Sequence, residues 1–192
     1  GYVGLPLAVE LSHHFDVIAY DKNKKKIDDL KSGVDQNQQY SANQLKKKNL
    51  FFTQDKNSIK NSNIYIVCVP TPVTKNNNPN LKHLKEASIL IGKSLSKNDT
   101  VIFESTVYPG CTEEICIPLI EKHSKFKINK DFYCGYSPER INPGDKKNTL
   151  SKITKIVSAN NQKTLKKMIK IYGSLNKRKI YKAKSIRVAE AA

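Results

Sequence analysis

Short apolar runs alternate with stretches whose apolar positions return at helical spacing, and the pattern holds along nearly the whole chain. Residues 64–69, Ile-Tyr-Ile-Val-Cys-Val, form the longest such run. A continuous run of that length suits a central strand buried on both faces of a parallel sheet. Further strands are predicted at residues 16–20, 50–53, 101–104, 131–136, 152–158 and 179–181. Helices are predicted where Leu5, Leu7, Ala8, Val9 and Leu11 line one face, in the lysine-rich segment ending at Leu30, and at 42–48, 81–95, 111–121 and 162–172. Pro6 is tolerable in the opening turn of the first helix, where its missing N–H has no partner to lose. A last helix starts after Lys184 and reaches residue 192 without a C-cap. Strand-then-helix alternation of this kind predicts an α/β fold with a doubly wound parallel sheet.

Ligands of such sheets bind outside the carboxyl ends of the strands, and this chain places its unusual residues there. Gly1-Tyr2-Val3-Gly4 opens the first helix, and Asp21 closes the strand at 16–20. Together they read as the back part of a dinucleotide-binding βαβ unit. The glycines let the backbone turn tightly against a pyrophosphate at a helix N-terminus, and the acid accepts the ribose diol. Asp21 would repel a 2′-phosphate, which favours NAD over NADP; it could also cap the following helix. The first strand and first glycine of that unit are not in the sequence, so the chain is expected to begin inside the motif. Three other strand ends carry Val69-Pro70-Thr71-Pro72, Glu104-Ser105-Thr106 and Tyr136-Ser137-Pro138-Glu139-Arg140. Singly, Thr71 and Thr106 could be helix caps, and Glu139 could pair with Arg140 or a lysine. Their convergence on strand ends favours a binding site.

Composition changes the picture little. The 192 residues carry a net charge of +17, which invites a nucleic-acid partner. The lysines, however, scatter among asparagines at 24–26, 46–48 and 163–170, without an arginine-rich stripe or a stacking platform. No nucleic-acid partner is expected, although a basic nucleic-acid-binding module stands as the alternative from another class. Cys68, Cys111, Cys116 and Cys134 lack metal-ligand spacing, so no metal is expected and reduced thiols fit a cytoplasmic protein. No run is long enough to cross a bilayer and no signal-peptide pattern is present, so no membrane partner is expected.

The motifs GYVGLPLA, the strand ending in Asp21, VPTP, ESTVYPGCTEE, GYSPERINPGD and SIRVAEAA, in that order, resemble the N-terminal NAD-binding domain of the UDP-glucose/GDP-mannose dehydrogenase family. The resemblance implies a Rossmann-like doubly wound parallel sheet over residues 1–183, lacking its first strand, and the start of a central, dimer-forming helix over 184–192. SPERINPG is most similar to the branch acting on UDP-N-acetylhexosamines for surface polysaccharides. The implied reaction oxidises the C6 alcohol of the UDP-sugar to a carboxylate, reducing two NAD, in a complete protein expected to be a cytoplasmic homodimer. Carried over residue by residue, Gly1, Tyr2, Val3 and Gly4 would meet the pyrophosphate, Asp21 the adenosine ribose, and Lys26 the phosphates or ribose. Thr71 and Thr106 match cofactor contacts. Thr106 and Glu139 match a threonine and a glutamate beside a catalytic water, and Arg140 and Ile141 match positions that touch the sugar nucleotide. Pro143 stands where the UDP-glucose branch has a second glutamate, which argues against UDP-glucose. The family's nucleophilic cysteine and its lysine are expected beyond Ala192, and none of the four cysteines present matches the nucleophile. A hydroxyacid or 6-phosphogluconate type dehydrogenase is the alternative within the same fold, but it would lack SPERINPG.

Overall fold

The computed structural model describes residues 1–139, 153–175 and 180–192, which form two compact units, Gly1–Asn61 and Ser62–Ala192. In the first unit, α1 (Gly4–Leu11) leads into β1 (Val17–Tyr20), followed by α2 (Lys24–Ser32), the single turn α3 (Ala42–Leu45) and β2 (Leu50–Thr53). β1 and β2 pair in parallel, from Val17 opposite Leu50 to Tyr20 opposite Thr53. Leu5, Ala8 and Val9 of α1, Ile27 and Leu30 of α2, Leu45, Leu50 and Phe52 bury one shared core. Each large aliphatic side chain there contributes about 1.5–3 kcal/mol over an exposed position. That burial, rather than helix propensity, holds α2, whose other positions are mostly lysine and aspartate.

The second unit carries a five-stranded sheet in the order β3 (Ile64–Val67), β4 (Thr100–Phe103), β5 (Tyr133–Tyr136), β6 (Lys155–Ala159), β7 (Ile180–Lys182). Its helices are α4 (Lys82–Ser94), α5 (Ile117–Ser124), α6 (Gln162–Leu175) and α7 (Ile186–Glu190). β4 is buried at every position, as a central strand should be. The β3–β4, β4–β5 and β6–β7 pairs are parallel, but β5 and β6 run antiparallel, with Gly135 opposite Ala159 and Tyr136 opposite Ser158. An all-parallel sheet therefore needs this one correction. The reason was present in the pattern: a parallel return requires a crossover, usually a helix, and no helical period lies between the fifth and sixth strands. The Ser158 hydroxyl donates to Tyr136 O at 3.1 Å, and the Ser137 hydroxyl donates to Ile156 O at 2.6 Å, which holds the reversed pair together. Gly135 lets α6 approach, since a Cβ there would stand 2.2 Å from Met168 Sδ.

The helix expected at 111–121 is interrupted. Thr112–Cys116 forms a widened π turn, in which the Ile117 N–H reaches back to Thr112 O, before α5 begins. Pro118 accounts for it: the residue has no N–H for the carbonyl four positions back, and its ring would clash there in a regular α-helix.

Candidate functional site

In the first unit, α1 starts without a side-chain cap and without an acidic residue in its first turn. Its positive end is thus left available to an external anion. A cavity of about 200 Å³ lies here, lined among others by Gly1, Tyr2, Asn23, Lys26, Asp35 and Asn37. Asp21 sits one residue past β1 and is half-buried. One carboxylate oxygen accepts the Asn23 N–H at 3.0 Å, and the other lies 3.1 Å from Lys26 Nζ. Burial would raise the proton affinity of Asp21, but the Asn23 amide and Lys26 outweigh it and leave the carboxyl below the usual aspartate range. The alternative role as helix cap falls to Asn23 instead, whose side chain accepts the Lys26 N–H at 3.1 Å.

Asp35 was not legible as a site residue. It is buried and accepts the N–H groups of Asn37, Gln39 and Tyr40 at 3.0, 2.8 and 3.2 Å. It thereby fixes the loop that walls the cavity. The available signal was an Asp two residues before an Asn in a polar loop, which fits a local Asx turn.

In the second unit, hydrogen bonds tie the turns beyond β3 and β4 to each other and to the last residue of β5. The Thr71 hydroxyl donates to Thr106 O, the Ser105 hydroxyl to Val69 O, and the Tyr136 hydroxyl to Ser105 O. Thr106 is exposed, while Thr71 and Glu139 are half-buried. Neither threonine caps a helix through its side chain. Arg140 and Ile141 lie outside the described residues.

The turn continues to Gly110, whose φ of 96° suits glycine,. The N–H groups of Gly110 and Thr112 donate to the two oxygens of Glu190 on α7, at 2.6 and 2.8 Å. The start of the segment leading into α5 is therefore already filled by a carboxylate of the chain itself. Arg187 on α7 adds bonds to Glu113 and Glu114 at the surface.

Beneath the turns, Lys155 Nζ lies 2.8 Å from Glu104 Oε2, with the two side chains 3% and 1% exposed. The Tyr172 hydroxyl donates to the other Glu104 oxygen. Burial pushes the Cys68 thiol well up, and Glu104 adds to the effect. Cys111, Cys116 and Cys134 are fully buried. A nucleophile must be an accessible thiolate; these three are closed off, and the half-buried Cys68 is held as the thiol.

An uncapped helix start, a nearby lysine and a locally anchored carboxylate suit a dinucleotide diphosphate and its ribose. The sequence model of the UDP-glucose/GDP-mannose dehydrogenase family, NAD binding domain, matches residues 1–176. The chain belongs to this family. Its cofactor is NAD. The chain is 47% identical over 193 residues to the UDP-N-acetyl-D-glucosamine 6-dehydrogenase of Salmonella typhi, covering 100% of this chain and 45% of that protein. The UDP-N-acetyl-D-glucosamine 6-dehydrogenase of Pseudomonas aeruginosa is 45% identical, with 100% of this chain and 46% of that protein covered. The solved UDP-D-ManNAc dehydrogenase of Pyrococcus horikoshii superposes with a TM-score of 0.90 at 29% identity, covering 98% of this chain and 46% of that one. The chain thus spans about half the length of the relatives it matches. The family match supports the nucleotide-sugar dehydrogenase reading over the hydroxyacid alternative. Among the described residues, no helix is long and apolar enough to cross a membrane.

Proposed function

We propose that this chain is the cofactor-binding part of an enzyme that oxidises the C6 hydroxyl of a UDP-N-acetylhexosamine to the uronic acid, supplying surface polysaccharide synthesis. The observation that supports the reading most is the 47% identity to a UDP-N-acetyl-D-glucosamine 6-dehydrogenase, in a chain whose turns at Thr71 and at Ser105 and Thr106 are hydrogen-bonded together. NAD supplies the hydride acceptor, and alcohol to carboxylate requires two such transfers.

In this proposal Gly1, Tyr2, Val3 and Gly4 present backbone to the pyrophosphate, and Asp21 accepts the adenosine ribose diol. Lys26 fixes Asp21 and adds positive charge for the phosphates. Thr71 keeps its hydroxyl proton on the Thr106 carbonyl, so its own cofactor contact is made through the oxygen lone pairs. The exposed Thr106 hydroxyl and the Glu139 carboxylate hold and activate the water that releases the acid, the carboxylate acting as general base. Arg140 and Ile141 are assigned to the sugar nucleotide. The step that water completes needs a thioester, because a thiolate both adds to the aldehyde and departs again. None of the four cysteines present is proposed for that role, since three are buried and burial pushes the Cys68 thiol well up.

Residues 1–183 are proposed as the NAD-binding domain and 184–192 as the start of the central helix. A cytoplasmic homodimer is the expected state of the complete protein. The test is an NADH-absorbance assay of the complete protein with UDP-N-acetylglucosamine, UDP-N-acetylgalactosamine and UDP-glucose. Turnover of an N-acetylated sugar, with UDP-glucose poor, is expected. Absence of NAD reduction with every nucleotide sugar would overturn the reading.

A further inference from the structure

Among the described ion pairs, Lys155–Glu104 is the one with both side chains buried. Every polar atom at its centre has a partner: Lys155 Nζ on Glu104 Oε2 at 2.8 Å, Tyr172 OH on Glu104 Oε1, and the ammonium 5.2 Å from the Tyr172 ring centroid. A buried pair seldom stabilises a fold more than apolar side chains of equal size would. Stability alone is therefore a weak reason for this one, and its location offers a better one.

Because β6 runs against β5, its first residue, Lys155, lies at the edge of the sheet where β3, β4 and β5 end. The register pairs 135 with 159 and 136 with 158, and just past the end of β5 the Ser137 hydroxyl still bonds Ile156 O; the same offset carried on beyond the strand puts position 139 on the side of position 155. The electrostatics agree with this placement. Besides burial, which is the largest cause, Glu104 and Glu139 both raise the proton affinity of the Tyr172 phenol. The same two carboxylates also raise the Cys68 thiol, again after burial, while Lys155 lowers it. The groups gathered here are Cys68 after β3, Glu104 after β4, Glu139 beyond β5, Lys155 on β6 and Tyr172 on α6. They amount to two carboxylates around one ammonium.

We propose that Lys155, clamped by Glu104 and Tyr172, is a positioning residue that holds Glu139 in place for its work on the water. This rests on the nucleotide-sugar dehydrogenase reading above. Glu104 fixes the ammonium and also anchors the turn carrying Thr106, two residues along, so one buried group links both partners of the water. Glu104 and Lys155 act oppositely on Glu139, because one adds a like charge and the other an opposite charge.

The complete enzyme is tested as Glu104→Gln, Lys155→Met and the double variant, with the pH profile of kcat, the KM for NAD and thermal unfolding measured for each. Glu104→Gln, nearly equal in size, leaves the ammonium and should move the acid limb of the profile down; Lys155→Met leaves the carboxylate and should move it up, each by about one pH unit. KM for NAD should stay within about twofold, because the cluster acts on the reacting water and not on cofactor binding. If Lys155→Met does not fold, Glu104→Gln alone carries the test. A folded, active Glu104→Gln enzyme with an unmoved acid limb would make the pair structural only and overturn the inference. If the unmodified complete enzyme turns over no nucleotide sugar, the underlying reading fails and the inference with it.

Discussion

Glu190 offers a prediction whose size follows from the geometry. Its two carboxylate oxygens accept the Gly110 and Thr112 N–H groups at 2.6 and 2.8 Å, and the residue is 7% exposed. A hydrogen bond to a charged acceptor contributes about 1.5–3 kcal/mol, and a stranded buried N–H costs about 1–3 kcal/mol. Glu190→Ala removes both acceptors but opens space for water, which returns part of the loss. A local destabilisation of about 2–4 kcal/mol is therefore expected. Glu190→Gln is not conservative here. Its amide offers one acceptor and one NH₂, so one of the two backbone donors would face another donor, and at least half of the alanine effect should appear. Arg187 makes its bonds at the surface, where ion pairs contribute little, so Arg187→Ala should change little,. The assay is amide hydrogen exchange of the complete protein at Gly110 and Thr112. The alanine variant should exchange about thirty- to several-hundred-fold faster, at one decade per 1.4 kcal/mol. Exchange within about threefold of the parent, with Glu190→Gln indistinguishable from it, would refute the view that this carboxylate holds the Thr106–Gly110 turn.

Asp21→Ala in the complete enzyme should weaken NAD by about tenfold or more, since a carboxylate–diol pair contributes about 1.5–3 kcal/mol, and should narrow the preference over NADP; equal turnover of the unmodified enzyme with NADP would contradict this. The Asp21 carboxyl is held below its usual range, so its contribution to stability is complete above the unfolded value of about 3.9 and is lost as pH falls through the lower folded value; acid unfolding of Asp21→Ala should show a correspondingly weaker pH dependence in that window. Glu139→Gln should slow release of the acid more than it weakens NAD, and pre-steady-state kinetics with unchanged turnover would assign Glu139 a structural role. Residues 1–192 expressed alone should aggregate and bind NAD poorly, because β1 pairs only with β2 and β3 only with β4 among the described residues, leaving an open edge on each,. Cooperative unfolding with micromolar NAD affinity would contradict that expectation.

The strands and helices were legible because burial writes itself into local pattern: 64–69 is apolar throughout, and the Leu5–Leu11 stripe has helical period. What local pattern does not carry is direction. The strand at 155–159 looks the same in either orientation, and only the absence of a helical period in the sequence before it pointed to the reversal. Asp21 could be placed at a strand end, but not separated from the cap role that Asn23, two residues later, in fact fills. The candidate site residues could be proposed from the sequence because motif and topology both point to the strand ends. The Glu104–Lys155–Tyr172 cluster was not, since its members are 51 and 68 positions from Glu104 and a lysine opening a strand reads as a solvated end. Glu190 was read only as part of a closing motif, because its partners are backbone N–H groups about 80 residues earlier, which leave no trace in side-chain chemistry.

The central claim is that the complete protein takes a UDP-N-acetylhexosamine from alcohol to carboxylate with NAD as oxidant. The most direct measurement is the ratio of NADH formed to sugar consumed in a reaction run to completion with limiting UDP-N-acetylglucosamine or UDP-N-acetylgalactosamine, with the product weighed by mass spectrometry. The account predicts two NADH per sugar and a product whose C6 is a carboxylate. One NADH per sugar with an aldehyde or ketone product, or no oxidation of either sugar, would contradict it.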